Sequence, residues 1–475
     1  MDMEKEKIFR ELERIVGKDD VMTSEMELQL YGYDASLIRG RPDWIVIPES
    51  TEEISQIVKV AYKNGIPLIA RGSGTSLSGG PVPSKGGIII LTTRMNRILE
   101  IDIENQRVIV EPGAITLDIK TAVAKLGYLY QPDPASEKAT TIGGNLAENS
   151  GGPLCFKYGV TSNHVLGAEI VLADGRIIHV GGKSLDNPGL DLIGLITGSE
   201  GTLAIATKII LRIMPKNEAV KTLLAIFNTV DDGANTVSGI VKAGMVPATL
   251  EMLDNVAIKA VEAFYKIGLP TDAAAMLLIE LDGLQDGLGR LADHVVEICK
   301  LNHVREVSLA KTAAERDQLW VARKGAFGAT GRLRPNYLVN DGTVPRTKLP
   351  ETLRRVGEIG HKYNIEIANV FHAGDGNLHP LILFDERDKD ELARVHKAAF
   401  EIMQLCVEMG GTITGEHGVG VEKLEGLKLQ FCSADITALQ NVKQAFDPDD
   451  ILNPGKLIPG KSAACGGREI VYAEH

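Results

Sequence analysis

The sequence predicts an α+β protein with two domains, and three observations lead to that prediction. The chain has 475 residues, which is more than one ordinary hydrophobic core holds. Glycine, with 50 residues in all, is concentrated early in the chain among short strands and helices. After Pro215 glycine thins, and strands alternate with helices as in an α/β sandwich. We therefore expect one domain at residues 1–216 and a second at residues 217–420.

The first domain opens with helix and strand signals. Residues 1–35 read as helical, and WIVIP near residue 44 reads as a strand. The next segment, STEEISQIVKVAYKNG, has helical periodicity, with Ser50 or Thr51 as its N-cap and Gly65 at its end. Strand IPLIA then leads into a glycine-rich loop, RGSGTSLSGG.

Strands dominate the remainder of the first domain. We expect strands at GIIILTT, ILEID and RVIVEPG, followed by a helix at TLDIKTAVAKLG. A second glycine-rich block, TTIGGNLAENSGG, precedes a strand hairpin that turns at Asp174 and Gly175. The domain closes with TGSEGTLAIATKIILRIMP, which holds a third glycine-rich segment.

The second domain follows a strand and helix rhythm. Predicted strands TLLAIF, ATLEML, AMLLIELDG and VREVSLA are separated by amphipathic helices. A helix near residues 312–330 and another at ETLRRVGEIGHKYN precede the strands of IEIANVFHAGDGNLHPLILF. A long helix then leads to GGTITGEHGVG, and we expect the tail after residue 460 to be loosely held.

Charge and composition exclude several classes of protein. With 51 Lys and Arg against 63 Asp and Glu, the net charge is −12, which argues against a nucleic-acid binder. No apolar stretch reaches the roughly 18–20 residues of a membrane span, so we expect no transmembrane segment. The charged N-terminus lacks the apolar core of a signal peptide, and a cytoplasmic protein is the expectation.

The cysteines argue against two further kinds of site. They are scattered along the chain and form no CxxC motif: Cys155, Cys299, Cys406, Cys432 and Cys465. Neither a disulfide framework nor an iron–sulfur cluster on this chain is therefore expected.

Three glycine-rich segments suggest a large ligand in the first domain. A run of backbone N–H groups in a loop such as RGSGTSLSGG can bind anionic oxygens. The loop is neither a Walker A sequence nor a Rossmann fingerprint. One such loop could be ordinary flexible chain, but three, about 60 residues apart, suggest several loops closing on one extended ligand.

The stretch HAGDGNLH in the second domain predicts a metal site. Residues 374–377 suit a four-residue hairpin loop, which would set His372 opposite His379. Directly opposed residues have Cβ atoms about 4.5–5.5 Å apart, so the two imidazoles could share one metal. The alternative is a structural turn with incidental histidines.

The segment GTITGEHGVG offers the ligands that a histidine pair still needs. Adjacent residues of an extended segment point opposite ways, so of Glu416 and His417 one can bind the metal while the other faces the substrate. Two histidines, a carboxylate and an open position form a common catalytic metal set. Zinc, iron(II) and manganese all suit one such divalent site.

Long motifs in both domains resemble one known family. RGSGTSLSGG, QPDPASEKATTIGGNLAENSGG, KYGVT and GSEGTLAIAT resemble the FAD-binding domain of the vanillyl-alcohol oxidase/PCMH flavoprotein superfamily. LWVARKGAF, DGTVPR, HAGDGNLHP, GTITGEHGVG and DILNPGK resemble its D-2-hydroxyacid dehydrogenase branch, which includes glycolate oxidase D-subunits and D-lactate dehydrogenases. The resemblance implies a PCMH-type FAD-binding domain and a substrate (cap) domain, with residues 421–475 packing back toward the FAD.

The resemblance also implies where FAD binds. Arg71, Gly72, Ser73, Gly74, Thr75 and Ser76 would hold the pyrophosphate. The flavin, its ribityl chain and the adenosine would be contacted by Pro132, Thr141, Gly143, Gly144, Asn145, Ser150, Gly151, Tyr158, Glu200, Gly201 and Ile205, with Asn453 returning from the C-terminal segment. Covalent members of the superfamily carry a histidine in the first loop; this loop has none, so noncovalent FAD is expected.

In the family, the residues that match His372, His379 and Glu416 are metal ligands, and the residue that matches His417 is the base. A histidine near its usual pKa can accept the hydroxyl proton of a 2-hydroxyacid at pH 7. An arginine fork suits the substrate carboxylate, and Arg323 is the first candidate. Arg346 is the second.

Two apolar residues bear on the substrate. Related 2-hydroxyglutarate enzymes have extra polar and basic residues near the positions of Phe327 and Val339. The chain therefore offers few polar or basic groups to bind a second carboxylate of a substrate. This favours a small monocarboxylate, with D-lactate first and glycolate next.

Electrons must leave the flavin after each turnover. The chain has no haem-attachment or cluster motif, so we expect a partner, either an electron-transfer flavoprotein or an iron–sulfur subunit. Such a partner could also associate the protein with a membrane. Two alternatives are a metal-dependent hydrolase, which leaves the glycine-rich loops without a purpose, and a noncatalytic flavin subunit that relays electrons.

Overall fold

The computed structural model describes residues 3–184 and 188–459, which group into two compact units. Within the described residues, the first unit comprises 3–151, 160–184, 188–216 and 416–459, and the second comprises Gly152–Gly159 and Asn217–Gly415. Cys465 and the tail expected to be loosely held lie outside the described residues.

The units differ from the sequence prediction at two short segments. Residues 152–159 join the second unit, where the Tyr158 hydroxyl donates to Asp282 Oδ2 at 2.7 Å. Residues 416–420 join the first unit, where the N–H groups of Val419 and Gly420 donate to the Glu200 carboxylate. The sequence does not display the hydrogen bonds that join either segment to its unit.

Two main sheets organise the first unit. One contains the parallel strands Trp44–Val46, Ile88–Leu91 and Leu68–Arg71, with Val21–Met22 antiparallel at its edge. The other is antiparallel, in the order Ile98–Asp102, Arg107–Val110, Ile205–Arg212, Val165–Val171 and Ile177–Gly181. A short pair joins Met214–Pro215 to Tyr128–Leu129. The hairpin predicted at Asp174 and Gly175 is confirmed, since it joins the last two of the five strands.

The helix Thr51–Asn64 of the first unit forms as its cap signals predict. Ser50 Oγ accepts the N–H of Glu53 at 3.2 Å, and Gly65 ends the helix at φ 62°. Its buried face packs in one core with the helix Met3–Val16. The remaining helices are Glu25–Leu30, Thr116–Ala124, Ile142–Glu148, Leu192–Ile196, Leu427–Gln430 and Ser433–Phe446, with 3₁₀ turns at Lys18–Asp20, Thr92–Arg94, Thr161–Asn163 and Leu424–Gly426.

Two local predictions for the first unit are wrong. The region expected to be helical throughout residues 1–35 is interrupted, because Gly17, at φ 94°, turns the chain into the strand Val21–Met22. The block TTIGGNLAENSGG is not all loop. Thr141 Oγ1 accepts the N–H of Gly144 at 3.4 Å and starts the helix Ile142–Glu148, so a threonine cap overcomes the low helix propensity of its two glycines.

The C-terminal segment completes the core of the first unit. Ile451 and Leu452 belong to the same buried cluster as Trp44 and Ile54. Leu452 also forms a parallel bridge with Leu68, next to the start of the glycine-rich loop. The predicted return of this segment to the first domain is confirmed.

One antiparallel sheet of seven strands organises the second unit. Its order is Glu306–Leu309, Ala219–Phe227, Ala275–Gly283, Thr249–Asp254, Ile367–His372, Pro380–Phe384 and Asn336–Val339. The helices are Cys155–Tyr158, Val230–Lys242, Asn255–Tyr265, Gln285–Leu301, Ala313–Lys324, Ala326–Thr330, Leu349–Tyr363 and Lys389–Glu408, with a 3₁₀ turn at Arg346–Lys348. The helix expected near residues 312–330 is therefore two helices, and the predicted α+β class is confirmed.

No helix within residues 3–184 and 188–459 has both the length and the apolar character that crossing a bilayer requires.

Candidate active site

The first glycine-rich loop begins at a buried cation. Arg71 ends the strand Leu68–Arg71 and is only 6% exposed, yet its Nε and Nη1 have no hydrogen-bond acceptor among the described residues. Burial lowers the pKa of Arg71, since water no longer solvates its charge. A buried guanidinium with unmet donors suits an anionic group in this loop.

The glycines of this loop leave no room for side chains. A Cβ on Gly74, which has φ +73°, would lie 2.1 Å from Arg71 Nη2, and a Cβ on Gly72 would lie 2.0 Å from Thr141 Oγ1. Ser73 Oγ donates to the carbonyl of Ala139. The loop is thus held against the residues that precede the helix Ile142–Glu148, and its backbone stays open to close approach.

The other predicted cofactor residues take up several positions. The side chain of Asn145 is fully buried, donating to Thr116 Oγ1 at 2.6 Å and accepting from Thr140 Oγ1 at 3.0 Å. The Ile205 side chain belongs to the hydrophobic core. The first unit also contains Thr75, Ser76, Pro132, Gly143, Gly144, Ser150, Gly151 and Gly201. Tyr158 lies in the second unit, bonded to Asp282, and its contact with FAD stays a prediction.

Asn453 and Lys456 bind the C-terminal segment to the end of the glycine-rich loop. Asn453 Nδ2 donates to the carbonyls of Gly80 and Glu200 at 3.0 and 2.7 Å. Lys456 Nζ donates to the carbonyl of Gly80 at 2.6 Å and to Asn453 Oδ1 at 2.7 Å. Asn453 therefore lies beside the end of this loop, and its predicted approach to the flavin stays a prediction.

The segment that carries His417 is held through its backbone. Glu200 Oε1 and Oε2 accept the N–H groups of Val419 and Gly420 at 2.6 and 2.7 Å, and Ser78 Oγ donates to the carbonyl of His417 at 3.0 Å. Glu200 was expected to contact adenosine, whereas its carboxylate here anchors this segment. Ser78 and Glu200 together thus fix the main chain on both sides of Gly418.

Gly418 is required next to His417 by a buried pair of carboxyl groups. A Cβ at this position, at φ +82°, would lie 2.3 Å from Glu148 Oε2 and 2.7 Å from Glu200 Oε1. Burial, together with the charge of Glu200, raises the pKa of Glu148 well above its ordinary value. Glu148 therefore holds a proton more readily than an ordinary carboxyl group does, while Glu200 accepts the backbone N–H groups.

The histidine pair of the second unit is brought together by a register that differs from the predicted one. His372 pairs with Asn377, with N–H to carbonyl distances of 3.1 and 3.2 Å, so the loop is residues 373–376 and the expected pairing with His379 is wrong. Gly376 takes φ +80°, and Asp375 Oδ1 accepts the N–H of Asn377, which together close the turn one residue early. His379 then lies diagonally across from His372, on the same face of the sheet.

The diagonal pairing still places the two imidazoles close together. Their ring centroids are 5.0 Å apart, with an interplanar angle of 86°. Both residues are buried, at 6% and 2% exposure. The two histidines alone supply two of the ligands that a metal site needs. Glu416, the third predicted ligand, and His417 belong to the first unit, so their grouping with the pair stays a prediction.

A buried carboxylate joins His372 to the predicted substrate arginine. Glu251 is fully buried on the adjacent strand, directly opposite His372. Its Oε1 and Oε2 lie 2.8 and 3.0 Å from His372 Nδ1, and its Oε2 forms an ion pair with Arg323 Nη2. Such a carboxylate fixes the tautomer of the imidazole, with the proton on Nδ1 and the lone pair on Nε2.

His379 has a carboxylate neighbour of its own. Asp341 is fully buried, and its Oδ1 lies 3.3 Å from His379 Nε2. It also accepts from Asn377 Nδ2 at 2.8 Å, from Thr414 Oγ1 at 2.5 Å and from the N–H of Gly415 at 3.0 Å. Because these donors occupy its oxygens, Asp341 is suited to holding the neighbouring chain segments in place.

An aromatic side chain lies beside His379. The ring of Phe327 lies 5.9 Å from that of His379, and Val339 is 6% exposed in the core that Phe327 packs against. Arg346, the second candidate for the substrate carboxylate, instead donates to the carbonyl of Gly374 at 3.1 Å and lies over the ring of Phe156. Arg346 therefore supports the turn, which leaves Arg323 as the better candidate.

Sequence reasoning missed Glu251 and Asp341. A weak signal existed for each: Glu251 is a charged residue on an apolar strand, ATLEML, and Asp341 follows the strand Asn336–Val339 in DGTV. Neither signal named a partner, because partners across a sheet depend on register.

Two family models match the chain. Residues 42–181 match the FAD binding domain, and residues 216–457 match the C-terminal domain of FAD linked oxidases. Among solved structures, p-cresol methylhydroxylase has a TM-score of 0.81 at 17% identity, with 97% of this chain and 98% of that chain covered. The 4-ethylphenol oxidase from Gulosibacter chungangensis has a TM-score of 0.79 at 19% identity, covering 97% and 99%. At these identities the likeness shows the fold.

Similar sequences are found among curated proteins. The glycolate oxidase subunit GlcD of Bacillus subtilis is 45% identical over 98% of this chain and 99% of its own length. The D-lactate dehydrogenase of Archaeoglobus fulgidus is 36% identical over 88% and 92%. The chain therefore belongs to the FAD linked oxidases, and it has curated relatives named glycolate oxidase subunit and D-lactate dehydrogenase.

Proposed function

We propose that the protein oxidises a small 2-hydroxyacid to the 2-oxoacid with FAD as the hydride acceptor, and that D-lactate is the first substrate to test, followed by glycolate. The observation that carries this proposal is the buried set of Arg323, Glu251 and His372 beside an apolar wall. It occurs in a chain whose first domain matches an FAD-binding domain. Relatives named glycolate oxidase subunit and D-lactate dehydrogenase support the same reaction.

The first glycine-rich loop fits the FAD pyrophosphate. Arg71 supplies unmet buried donors, and Gly72 and Gly74 keep the backbone accessible. The absence of a histidine in RGSGTSLSGG argues for noncovalent binding. FAD, when bound, supplies the flavin N5 that accepts a hydride.

The histidine pair fits one divalent metal, either zinc, iron(II) or manganese. His372 and His379 would hold it with Glu416, and Glu251 keeps His372 in the tautomer that offers Nε2. A metal bound there supplies a positive charge that lowers the pKa of a coordinated hydroxyl.

The chain's own residues divide the remaining tasks. Arg323 binds the substrate carboxylate, because it is buried and its Nε has no acceptor within the described part of the chain. His417 accepts the hydroxyl proton and is held by its backbone while its imidazole does so. Phe327 and Val339 exclude a second carboxylate, which limits the substrate to a small monocarboxylate.

Electrons then pass to a partner protein. Relatives of this chain are named as a subunit of glycolate oxidase, which supports a multi-subunit complex. We propose an electron-transfer flavoprotein or an iron–sulfur subunit as the acceptor. Reduction of quinone or oxygen by the purified chain alone, at full physiological rates, would contradict this.

Anaerobic bleaching of the flavin tests the reaction. Protein loaded with FAD is mixed with D- and L-lactate, glycolate and D-2-hydroxyglutarate, and the flavin absorbance is followed. We expect D-lactate to bleach fastest and D-2-hydroxyglutarate slowest. Absence of flavin bands after loading with FAD would reject the oxidoreductase and leave the metal-dependent hydrolase.

Elemental analysis tests the metal ligands. Wild type should contain one divalent metal per chain, and His372→Ala should lose it, since two ligands hold a metal far less tightly than three. His361→Ala is the matched control, because His361 is exposed on the helix Leu349–Tyr363. Equal metal content in wild type and His372→Ala would refute the assignment.

A further inference from the structure

We infer that Glu251 is a positioning residue shared by the metal and the substrate carboxylate, so that both are oriented by one buried carboxylate. The inference rests on the proposed function, since it assigns His372 to the metal and Arg323 to the substrate. It adds a residue that touches neither ligand. The proposal predicts that the two binding events are coupled through Glu251.

The first step of the argument is geometric. Glu251 is the Cα partner of His372 in the antiparallel register, so the strands themselves set the spacing between carboxylate and imidazole. Glu251 is fully buried, and both of its oxygens lie within 3.0 Å of His372 Nδ1. A carboxylate on a central strand is held in position more precisely than one on a loop.

The second step concerns charge. Arg323 is 3% exposed, and its ion pair with Glu251 Oε2 balances the two buried charges. The Nε of Arg323 has no hydrogen-bond acceptor in the described part of the chain, although it is buried. One edge of the guanidinium is thus fixed by Glu251, while a further donor is left for a ligand carboxylate.

The third step is the choice of substitution. A glutamine at position 251 has one acceptor oxygen and one donor nitrogen, whereas Glu251 has two donors to satisfy. The neutral amide cannot balance the charge of Arg323, and its NH₂ group, in place of one oxygen, cannot accept a hydrogen bond, so it should orient both groups less well than the carboxylate. Aspartate keeps the charge and shortens the reach by one methylene, so it should retain part of both functions.

The same sheet provides a matched control in Glu280. Glu280 lies on the neighbouring strand, is 4% exposed and accepts from Arg316 Nε and Nη2 at 2.8 and 2.9 Å. It also accepts from Trp320 Nε1 at 2.7 Å. Glu280 is therefore a buried carboxylate like Glu251. It pairs with Arg316 of the helix Ala313–Lys324, which also carries Arg323, but its hydrogen bonds in the described residues do not include one to a histidine. Glu280→Gln controls for the loss of a buried ion pair.

The experiment compares Glu251→Gln, Glu251→Asp and Glu280→Gln, each loaded with FAD. Zinc affinity is measured by titrating metal-free protein, and pyruvate affinity from the shift of the flavin spectrum, with and without zinc. Glu251→Gln should weaken zinc about 10–100-fold. It should weaken pyruvate about tenfold or more even without zinc. Glu251→Asp should fall between this variant and wild type, and Glu280→Gln should match wild type in both.

The outcomes separate the inference from the proposed function. Suppose that wild type binds zinc and that a 2-hydroxyacid bleaches its flavin. If Glu251→Gln then has the same zinc and pyruvate affinities as Glu280→Gln, the inference is wrong and the proposed function stands. If wild type neither binds zinc nor is bleached by any acid of the panel, both are overturned. Should Glu251→Gln fail to fold with Arg323 unbalanced, Glu251→Gln/Arg323→Met removes both charges. Zinc retention by that double variant at the wild-type level would equally contradict the inference.

Discussion

The loop site of the first unit and the histidine site of the second unit are built from different parts of the chain. Around Arg71 and His417, glycines and backbone N–H groups form the site, and carboxylates such as Glu200 hold main chain. Around His372, long buried side chains on a seven-stranded sheet hold one another. The first kind of site depends on glycine positions where a Cβ would meet a neighbouring atom. The second depends on strand register and on charge balance.

The largest expected effect comes from His417, the side chain that is presented by the backbone-built site. His417→Ala should slow reduction of the flavin by D-lactate by about 10²–10⁴-fold, because the hydroxyl proton loses its acceptor. The flavin spectrum should be unchanged, since Ser78 and Glu200 hold this segment through its main chain and not through the imidazole that the substitution removes. Stopped-flow absorbance measures the rate.

The control for that variant is His361→Ala, which changes an exposed histidine. A rate in His417→Ala equal to that of wild type would favour a subunit that relays electrons without catalysing the oxidation. It would also show that the imidazole of His417 does not take part in the reaction.

An intermediate effect is expected from a buried acid in the side-chain-built unit. Burial raises the pKa of Asp254 to about 6, although the carboxylate accepts from Ala257 and Asn369. Because the folded protein holds this proton more tightly than the unfolded chain, its contribution to stability is present below about pH 4. This contribution to the free energy of unfolding, about 3 kcal/mol, is lost as the pH rises through about 6. Asp254→Asn should therefore gain stability relative to wild type between pH 4 and pH 7.

Urea unfolding can measure this in the second unit alone. The chain has two tryptophans, and Trp44 lies in the first unit, so a Trp44→Phe background lets Trp320 report on the second. Asp388→Asn, an exposed N-cap in the same unit, controls for loss of a capping carboxylate. A difference between Asp254→Asn and wild type that is the same at both pH values would contradict the prediction.

The smallest effect is expected from a single methyl group in the backbone-built site. Gly74→Ala should weaken FAD binding by about tenfold, because its Cβ would lie 2.1 Å from Arg71 Nη2 and displace the guanidinium. Gly127→Ala is matched in backbone strain, with φ +81° against +73°, but a Cβ there meets nothing within 4 Å. FAD affinity is measured by fluorescence titration. Equal affinities in the two variants would show that strain, not the clash, matters.

The same contrast explains what the sequence could predict. The loop RGSGTSLSGG and the cap at Ser50 are local patterns, and the structure confirms the helix that Ser50 starts, while pyrophosphate binding by the loop stays a prediction. The proximity of His372 and His379 was also predictable, although through a turn one residue earlier than expected. Glu251 and Asp341 were not predictable, because their roles depend on which strands pair and in which register.

The C-terminal return has a consequence for the timing of folding. Ile451 and Leu452 fill the core beside Trp44, and Asn453 and Lys456 bind Gly80, so the first unit lacks part of its core until these residues have been synthesised. Apart from residues 152–159, the second unit is encoded by residues 217–415, which contain all of its sheet. On the ribosome, the middle of the chain can therefore complete its fold before the beginning does, and cofactor loading must wait for translation to pass residue 456.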